Sequence, residues 1–428
     1  MAALTSRSAD DVVWVQVGKL FDGTSDEVLQ DAHLIYDAQK IRYIGAADKL
    51  PPVDMLDAKT SGPDIFLSEY TVIPGLTEAH AHLFLDGYPV DADTRRTYLT
   101  NSSSQLLDRA RSRWPAIVRT GVTAVRDAGD KDGVGLALSA HCRQHRGQIT
   151  DTPYIDSPGA AIHHQGRYGK FMARPLEEFI SAADCIADRI AAGADRIKLI
   201  VTGIINFNAG RVTAPPQMPT DEVLSLTTSA RSQKQQTFAH ASGCDGIQNA
   251  IDGEVDTVEH GYFMSSDQLS QMRDRGIGWV PTFAPVQIQI ERCQEIGWDT
   301  KVVENLQRIV DNHGSTLRQA DERGVCIIAG SDAGSCGVPH GFGLLRELEL
   351  MQHAGMSALA VLRSATGNAA GRLAFHELIG KLAASYRSRM IFSPHDITRD
   401  VRHLSRDKLI LFDGQVISHD GNTCLEGL

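Results

Sequence analysis

The sequence lacks any Cys-x-x-Cys pair. Its seven cysteines, Cys142, Cys185, Cys244, Cys293, Cys326, Cys336 and Cys424, are odd in number and scattered. That excludes a compact disulfide scaffold and a cysteine-built zinc site, and it reads as reduced thiols in a cytoplasmic protein. Long apolar runs are missing as well. No stretch approaches the roughly 18–20 residues that a membrane-spanning helix needs. The first ten residues, from Met1 to Asp10, contain no apolar core that would serve as a secretion signal. A basic excess is also absent: 42 Lys+Arg against 53 Asp+Glu give a formal net charge of -11. This excludes nucleic acid and anionic membranes as main partners, because both select basic surfaces.

What is present is an ordinary globular composition, 42% hydrophobic and 22% charged over 428 residues. That length supports a large core and more than one domain. Residues 12–17, 33–36 and 41–44 read as short strands, and the Pro- and Gly-containing stretch 51–64 reads as a loop. From residue 71 the rhythm changes. Apolar strand-like runs near 71–75, 122–127, 154–157, 195–201, 236–240, 255–259, 278–282 and 325–330 alternate with helical stretches. Among these, 175–192 opens with a proline in its first turn and ends near Gly193, Thr220 caps 221–234, and 302–323 stops at Gly324. Eight such units in about 300 residues fit a (β/α)8 barrel. Helices at 342–353 and 358–366 follow, and short strands return at 390–392, 408–413 and 415–418. The expected fold is α/β: a TIM-like barrel over 71–375 and a small β-sandwich built from 1–70 and 376–428.

In such a barrel the chemistry gathers at the carboxyl ends of the strands. His80 and His82 sit there with one residue between them, and in an extended chain i and i+2 point the same way. Two imidazoles can then address one cation. Four further strand segments carry ligand-type residues: Lys198, His240, His260 and Asp332. Each alone has an ordinary explanation. A strand-end histidine is commonly a hydrogen-bonded core residue, Asp332 would cap a helix, and Lys198 would sit on an exposed face. An ammonium in a central parallel strand is costly without a partner. A lysine neutralised by burial can add carbon dioxide and become an anionic carbamate able to bridge two cations. All six ordinary explanations would have to hold together, which argues for a metal site.

The ordered set His80-x-His82, Lys198, His240, His260 and Asp332 resembles the amidohydrolase superfamily. Within it, the chain is most similar to the branch of imidazolonepropionase-like prolidases, Xaa-Arg dipeptidases and ochratoxinase-type amidases. Supporting stretches are Val72-Ile73-Pro74-Gly75-Leu76, Gly121 to Gly129, Gly193 to Lys198, Thr257 to Gly261 and Gly330-Ser331-Asp332. The resemblance implies a binuclear hydrolase. His80, His82 and Asp332 would hold the buried ion and His240 and His260 the other, with carboxylated Lys198 and a hydroxide between them. Asp332 would also serve as general base. Zinc suits the nitrogen and oxygen ligands, and manganese and cobalt stay open. The implied substrate is a small amide or peptide, such as a dipeptide, an N-acyl amino acid, an aryl amide or a carbamate. The implied assembly is a homo-oligomer.

Two alternatives remain. A mononuclear deaminase on the same fold would lack Lys198 and carry a glutamate near His240, where this chain has Ala241-Ser242-Gly243. A non-catalytic binding or assembly module would have lost ligands, and all six are kept. Around the expected mouth, His163 and His164 are catalytic candidates, because relatives place a histidine near the substrate carbonyl. Asp127, Arg211 and His340 are candidate substrate contacts, Arg211 for a carboxylate. Glu78 departs from the Ile-Asp that relatives carry before His-x-His.

Overall fold

The structure is a computed structural model that describes residues 4–8, 10–52, 62–146, 148, 152–373 and 378–419. The chain opens with three antiparallel strands, β1 (Val13–Leu20), β2 (Leu29–Tyr36) and β3 (Ile41–Gly45). β4 (Ile65–Pro74) returns parallel to β1. A parallel set follows. β5 (Leu76–Ala81), β6 (Val122–Asp127) and β7 (Tyr154–Asp156) form a three-stranded sheet. β8 (Ala161–His163), β9 (Ala173–Pro175), β10 (Ile197–Ile200), β11 (Thr237–Ala241), β12 (Thr257–His260) and β13 (Gly278–Val280) form a six-stranded sheet in the order β13-β12-β11-β10-β8-β9. Helices intervene, as the apolar periodicity predicts. Finally β14 (Arg389–Ser393), β15 (Lys408–Phe412) and β16 (Gln415–His419) rejoin the first strands, giving the order β16-β15-β14-β4-β1-β2-β3.

Several expected boundaries move, each for a local reason. Residues 71–74 belong to β4, because Val72 and Ile73 pair with Phe392 and Ile391 of β14. The first strand of the parallel set starts beyond Gly75, at Leu76. The strand expected at 154–157 appears as β7, and a further strand, β8, follows it at Ala161–His163, with no ladder joining the two among the described residues. The strand expected at 325–330 is reduced to one isolated bridge, Trp279 with Ile327, and a second, Ala81 with Ala333, follows just beyond it. Hydrogen bonds still fasten this segment to both neighbours: Ile328 N–H to the Trp279 carbonyl at 2.9 Å and Asp332 N–H to the His80 carbonyl at 2.7 Å. The helix expected from residue 175 is Ala182–Ala191, because Pro175 ends β9 and the Ser181 side chain caps Asp184 N–H. Thr220 does not cap its helix. It lies in the first turn and donates to Asn249 at 3.1 Å. The helices Thr300–Arg323 and Phe342–His353 appear as expected, the first closed by Gly324 at φ 76°.

The two chain ends thus share one seven-stranded sheet with its own core, in which Val15, Val17 and Leu34 pack against Met390, Phe392 and Leu411. The Arg389 guanidinium locks this sheet to the parallel set. It donates to both Asp413 carboxylate oxygens, at 2.8 and 2.9 Å, and to the Thr123 carbonyl of β6 at 3.1 Å. The expected domain boundary at 70/71 falls inside β4. The boundary at 375/376, most of the loop 51–64 and Cys424 lie outside the described residues. The six described cysteines are free. No helix among the described residues is long and apolar enough to cross a membrane.

Candidate metal centre

Four histidines come together in a row. The ring centroids of His82 and His80 are 5.7 Å apart, those of His80 and His260 4.9 Å, and those of His260 and His240 4.5 Å. β5 supplies His80, with His82 just beyond its end. β11 supplies His240 and β12 supplies His260. Each ring is fixed through one nitrogen. His80 Nδ1 donates to Glu259 Oε2 at 2.6 Å, His82 Nδ1 to the Gly129 carbonyl at 3.2 Å, and His240 Nε2 to the Gly203 carbonyl at 3.3 Å. His260 Nδ1 lies 2.8 Å from Thr282 Oγ1. A nitrogen that donates to a carbonyl or carboxylate leaves the other one with a lone pair, which is the form that binds a cation.

Asp332 faces these rings. Its Oδ1 lies 3.6 Å from His80 Nε2 and 3.5 Å from His82 Nε2. Ligand atoms of His80, His260 and Asp332 all lie within 4.8 Å of one another. Lys198 is buried in the middle of β10, against Phe238 of the neighbouring strand, with Nζ 4.6 Å from the ring centroid. Neither Lys198 Nζ nor Asp332 Oδ1 has a hydrogen bond among the described residues. Buried polar atoms without partners are rare, because each forfeits its hydration. Two of them among four oriented imidazoles fit divalent cations.

Burial sets the protonation of these side chains. It holds His80 and His260 well below their ordinary range and pushes His82 and His240 down to about 3, with the Lys198 charge adding to the effect. It also pushes Lys198 down to about 8 and Asp332 up to about 7. Neutral imidazoles are the form that metal binding requires, and the lowering of Lys198 raises the share of free amine that carbamate formation needs. The backbone is strained at the same place. His260, Thr282 and Asp332 have φ of 66°, 54° and 55°, a region costly for residues other than glycine. Gly330 permits the close approach of the Asp332 segment to β5: a methyl there would lie 2.9 Å from the His80 backbone nitrogen.

The pattern of the amidohydrolase family matches residues 71–408, most of the chain. The chain belongs to the amidohydrolase family. This amidohydrolase is 24% identical to ochratoxinase of Aspergillus niger, over 95% of its own length and 86% of the relative's. Its fold matches that of a Xaa-Pro dipeptidase solved with bound methionine, with a TM-score of 0.76, 24% identity and coverage of 95% and 100% of the two chains. It likewise matches the crystal structure of the A. niger ochratoxinase, with a TM-score of 0.75, 20% identity and 95% coverage of each chain.

All six ligand-type residues of the amidohydrolase line one cavity of about 280 Å³. The other candidates are not among its lining residues. His163 is buried, its Nδ1 donating to the Tyr168 carbonyl at 3.2 Å. His164 is held by two carboxylates, Glu177 at 2.8 Å and Glu222 at 2.7 Å, so both ring nitrogens are engaged away from the cavity. Asp127 accepts from Leu83 N–H, Gly129 N–H and Ser157 Oγ and shapes the turn after β6. Arg211 is exposed. His340 is buried beneath the site, donating through Nε2 to the His82 carbonyl at 3.1 Å. Glu78 points inward, where it accepts from His80 N–H at 3.0 Å and from Ser331 N–H at 2.9 Å.

The residues that sequence reasoning missed stand behind the candidate ligands. Glu259 accepts from His80, from Thr257 Oγ1 at 2.6 Å and from Arg126 Nη2 at 2.7 Å. Arg126 also donates to the Ala79 carbonyl at 2.6 Å. An arginine and a glutamate in two fully buried strands were the available signal, since opposite charges at such positions need each other. Thr282 and Arg95 gave no signal.

Proposed function

We propose that this amidohydrolase is a binuclear metal-dependent enzyme that cleaves the C–N bond of a small amide or peptide. The observation that carries this is the pair of buried atoms without hydrogen bonds, Lys198 Nζ and Asp332 Oδ1, set among four histidines, three of which donate through one ring nitrogen and keep a lone pair on the other. His80, His82 and Asp332 would hold one ion and His240 and His260 the other, with Lys198 shared between them. The two sheets of parallel strands are read as arcs of one (β/α)8 barrel that begins at β5, and the single seven-stranded sheet from both chain ends, in place of the expected sandwich, as the small second domain. Family membership and the likeness to an ochratoxinase and a dipeptidase support the bond type.

Bound zinc, manganese or cobalt would supply a nucleophilic water at neutral pH and a Lewis acid for the scissile carbonyl. The chain's own residues do the rest. Lys198 Nζ adds to carbon dioxide, forming an N–C bond and losing a proton, and the resulting carbamate offers two oxygens where the amine offered one nitrogen. Asp332 Oδ1 accepts the proton of the attacking water and returns it to the leaving nitrogen. Glu259 and Gly129 hold His80 and His82 in the donor-free orientation at Nε2.

The test is metal analysis of purified protein followed by a hydrolysis panel of dipeptides, N-acyl amino acids and aryl amides. Two ions per chain and turnover of at least one class are expected, with both lost in Lys198→Ala. Two ions and full activity in that variant would refute the role of Lys198. A metal-loaded protein that turns over none of the panel would favour a binding module.

A further inference from the structure

Besides Lys198, the cavity is lined by one other cationic side chain among the described residues, Arg95 on the helix Ala92–Tyr98. Its guanidinium is half-buried and fixed by three backbone carbonyls. Nη1 donates to Asp86 at 3.2 Å and Pro89 at 3.3 Å, and Nη2 donates to Gly334 at 3.0 Å. These acceptors are neutral, so they orient the group without cancelling its charge. The nearby carboxylates are engaged elsewhere: Asp86 accepts from Tyr98 and Tyr88, and Asp93 pairs with Arg96. One hydrogen on Nη2 and the one on Nε have no protein acceptor among the described residues. A rigidly held arginine with spare donors in a concave site matches a carboxylate.

The arginine also lies close to the chemistry. It ties the loop after His82 to the loop after Asp332, and its charge reaches both of those residues. Much of the remaining lining is apolar and comes from other segments: Phe171 and Met172 after β8, Ile204, Ile205 and Phe207 after β10, and Val286 after β13. A cavity with one fixed cation and a large apolar share suits an amphipathic monoanion.

We infer that Arg95 binds a carboxylate of the substrate, so that the cavity selects amides bearing one carboxylate and a bulky apolar group, such as N-acyl derivatives of aromatic or branched amino acids. This rests on the hydrolase reading above for the bond cleaved, but not for the binding. The role that the sequence suggested for Arg211 passes to Arg95, which is placed to perform it.

The experiment is titration calorimetry of metal-loaded protein with N-benzoylphenylalanine and with its uncharged carboxamide, alongside benzoate release from both. The acid should bind about 10–100-fold more tightly, the worth of a hydrogen-bonded charge pair. Arg95→Gln should bring the acid down to the level of the carboxamide, raising KM far more than it lowers kcat, while Arg95→Lys keeps part of the preference. An acid that binds wild type no better than its carboxamide, or no binding of either, overturns the inference. Equal weakening of both ligands in Arg95→Gln also overturns it, because Arg95 would then only fasten the two loops. Selective binding without benzoate release would retain the Arg95 site and count against the hydrolase reading alone.

Discussion

Glu259 Oε2 accepts the Nδ1 proton of His80 across 2.6 Å, in a space closed to solvent and shared with Arg126. This contact orients an imidazole from β5 with a carboxylate from β12, so two strands far apart in sequence set one nitrogen. Glu259→Gln removes the charge and keeps the shape. It is expected to weaken metal affinity about 10–100-fold, the usual effect of losing a partner behind a ligating histidine. Competition with a chelator of known affinity measures it. Unchanged affinity would show that His80 is oriented by its backbone alone.

Lys198 is expected to act as a carbamate. Protein stripped of metal should regain ions and activity more completely with bicarbonate in the buffer than in a buffer freed of carbon dioxide. Atomic absorption and a rate assay read the two together. Equal recovery in both buffers would argue for the free amine.

Glu78 braces the loop of Asp332 against β5 through His80 N–H and the Ser331 backbone and hydroxyl. Glu78→Ala strands these donors in a closed interior. A loss of about 2–4 kcal/mol is expected in urea unfolding of the metal-free protein. A loss below about 0.5 kcal/mol would mean that the donors find other acceptors.

His164 should matter for stability and not for catalysis. Burial opposes its protonation, but Glu177 and Glu222 outweigh it, so its folded pKa lies above the ordinary value. Its contribution is therefore complete below about pH 6.5 and fades as pH rises through the raised folded value. Wild type should exceed His164→Gln in stability by up to about 1 kcal/mol near pH 5.5, and by less near pH 8.5. A fall in kcat of about tenfold or more in this variant would instead place the ring at the chemistry.

The pairing of His80 with His82 and the βα rhythm were legible because both depend on near neighbours. Alternation along an extended chain puts His80 and His82 on one side, whatever surrounds them. An ammonium inside Ile197-Lys198-Leu199-Ile200 marks itself as unusual because all four residues are buried. The break at Gly75 was not legible. Whether Val72 and Ile73 open the parallel set or close the end sheet depends on β14, which arrives only near the end of the chain.

Which arginine meets the cavity was beyond the sequence for the same reason. Arg211 and Arg95 both lie near strand ends, and the choice between them turns on carbonyls of Asp86, Pro89 and Gly334 supplied by two separate loops. Glu259 and Arg126 are 133 residues apart, so their pairing exists only once β6 and β12 face a common interior. Local backbone geometry is written in a few adjacent residues. The partner of a buried charge is set by the closure of the whole fold.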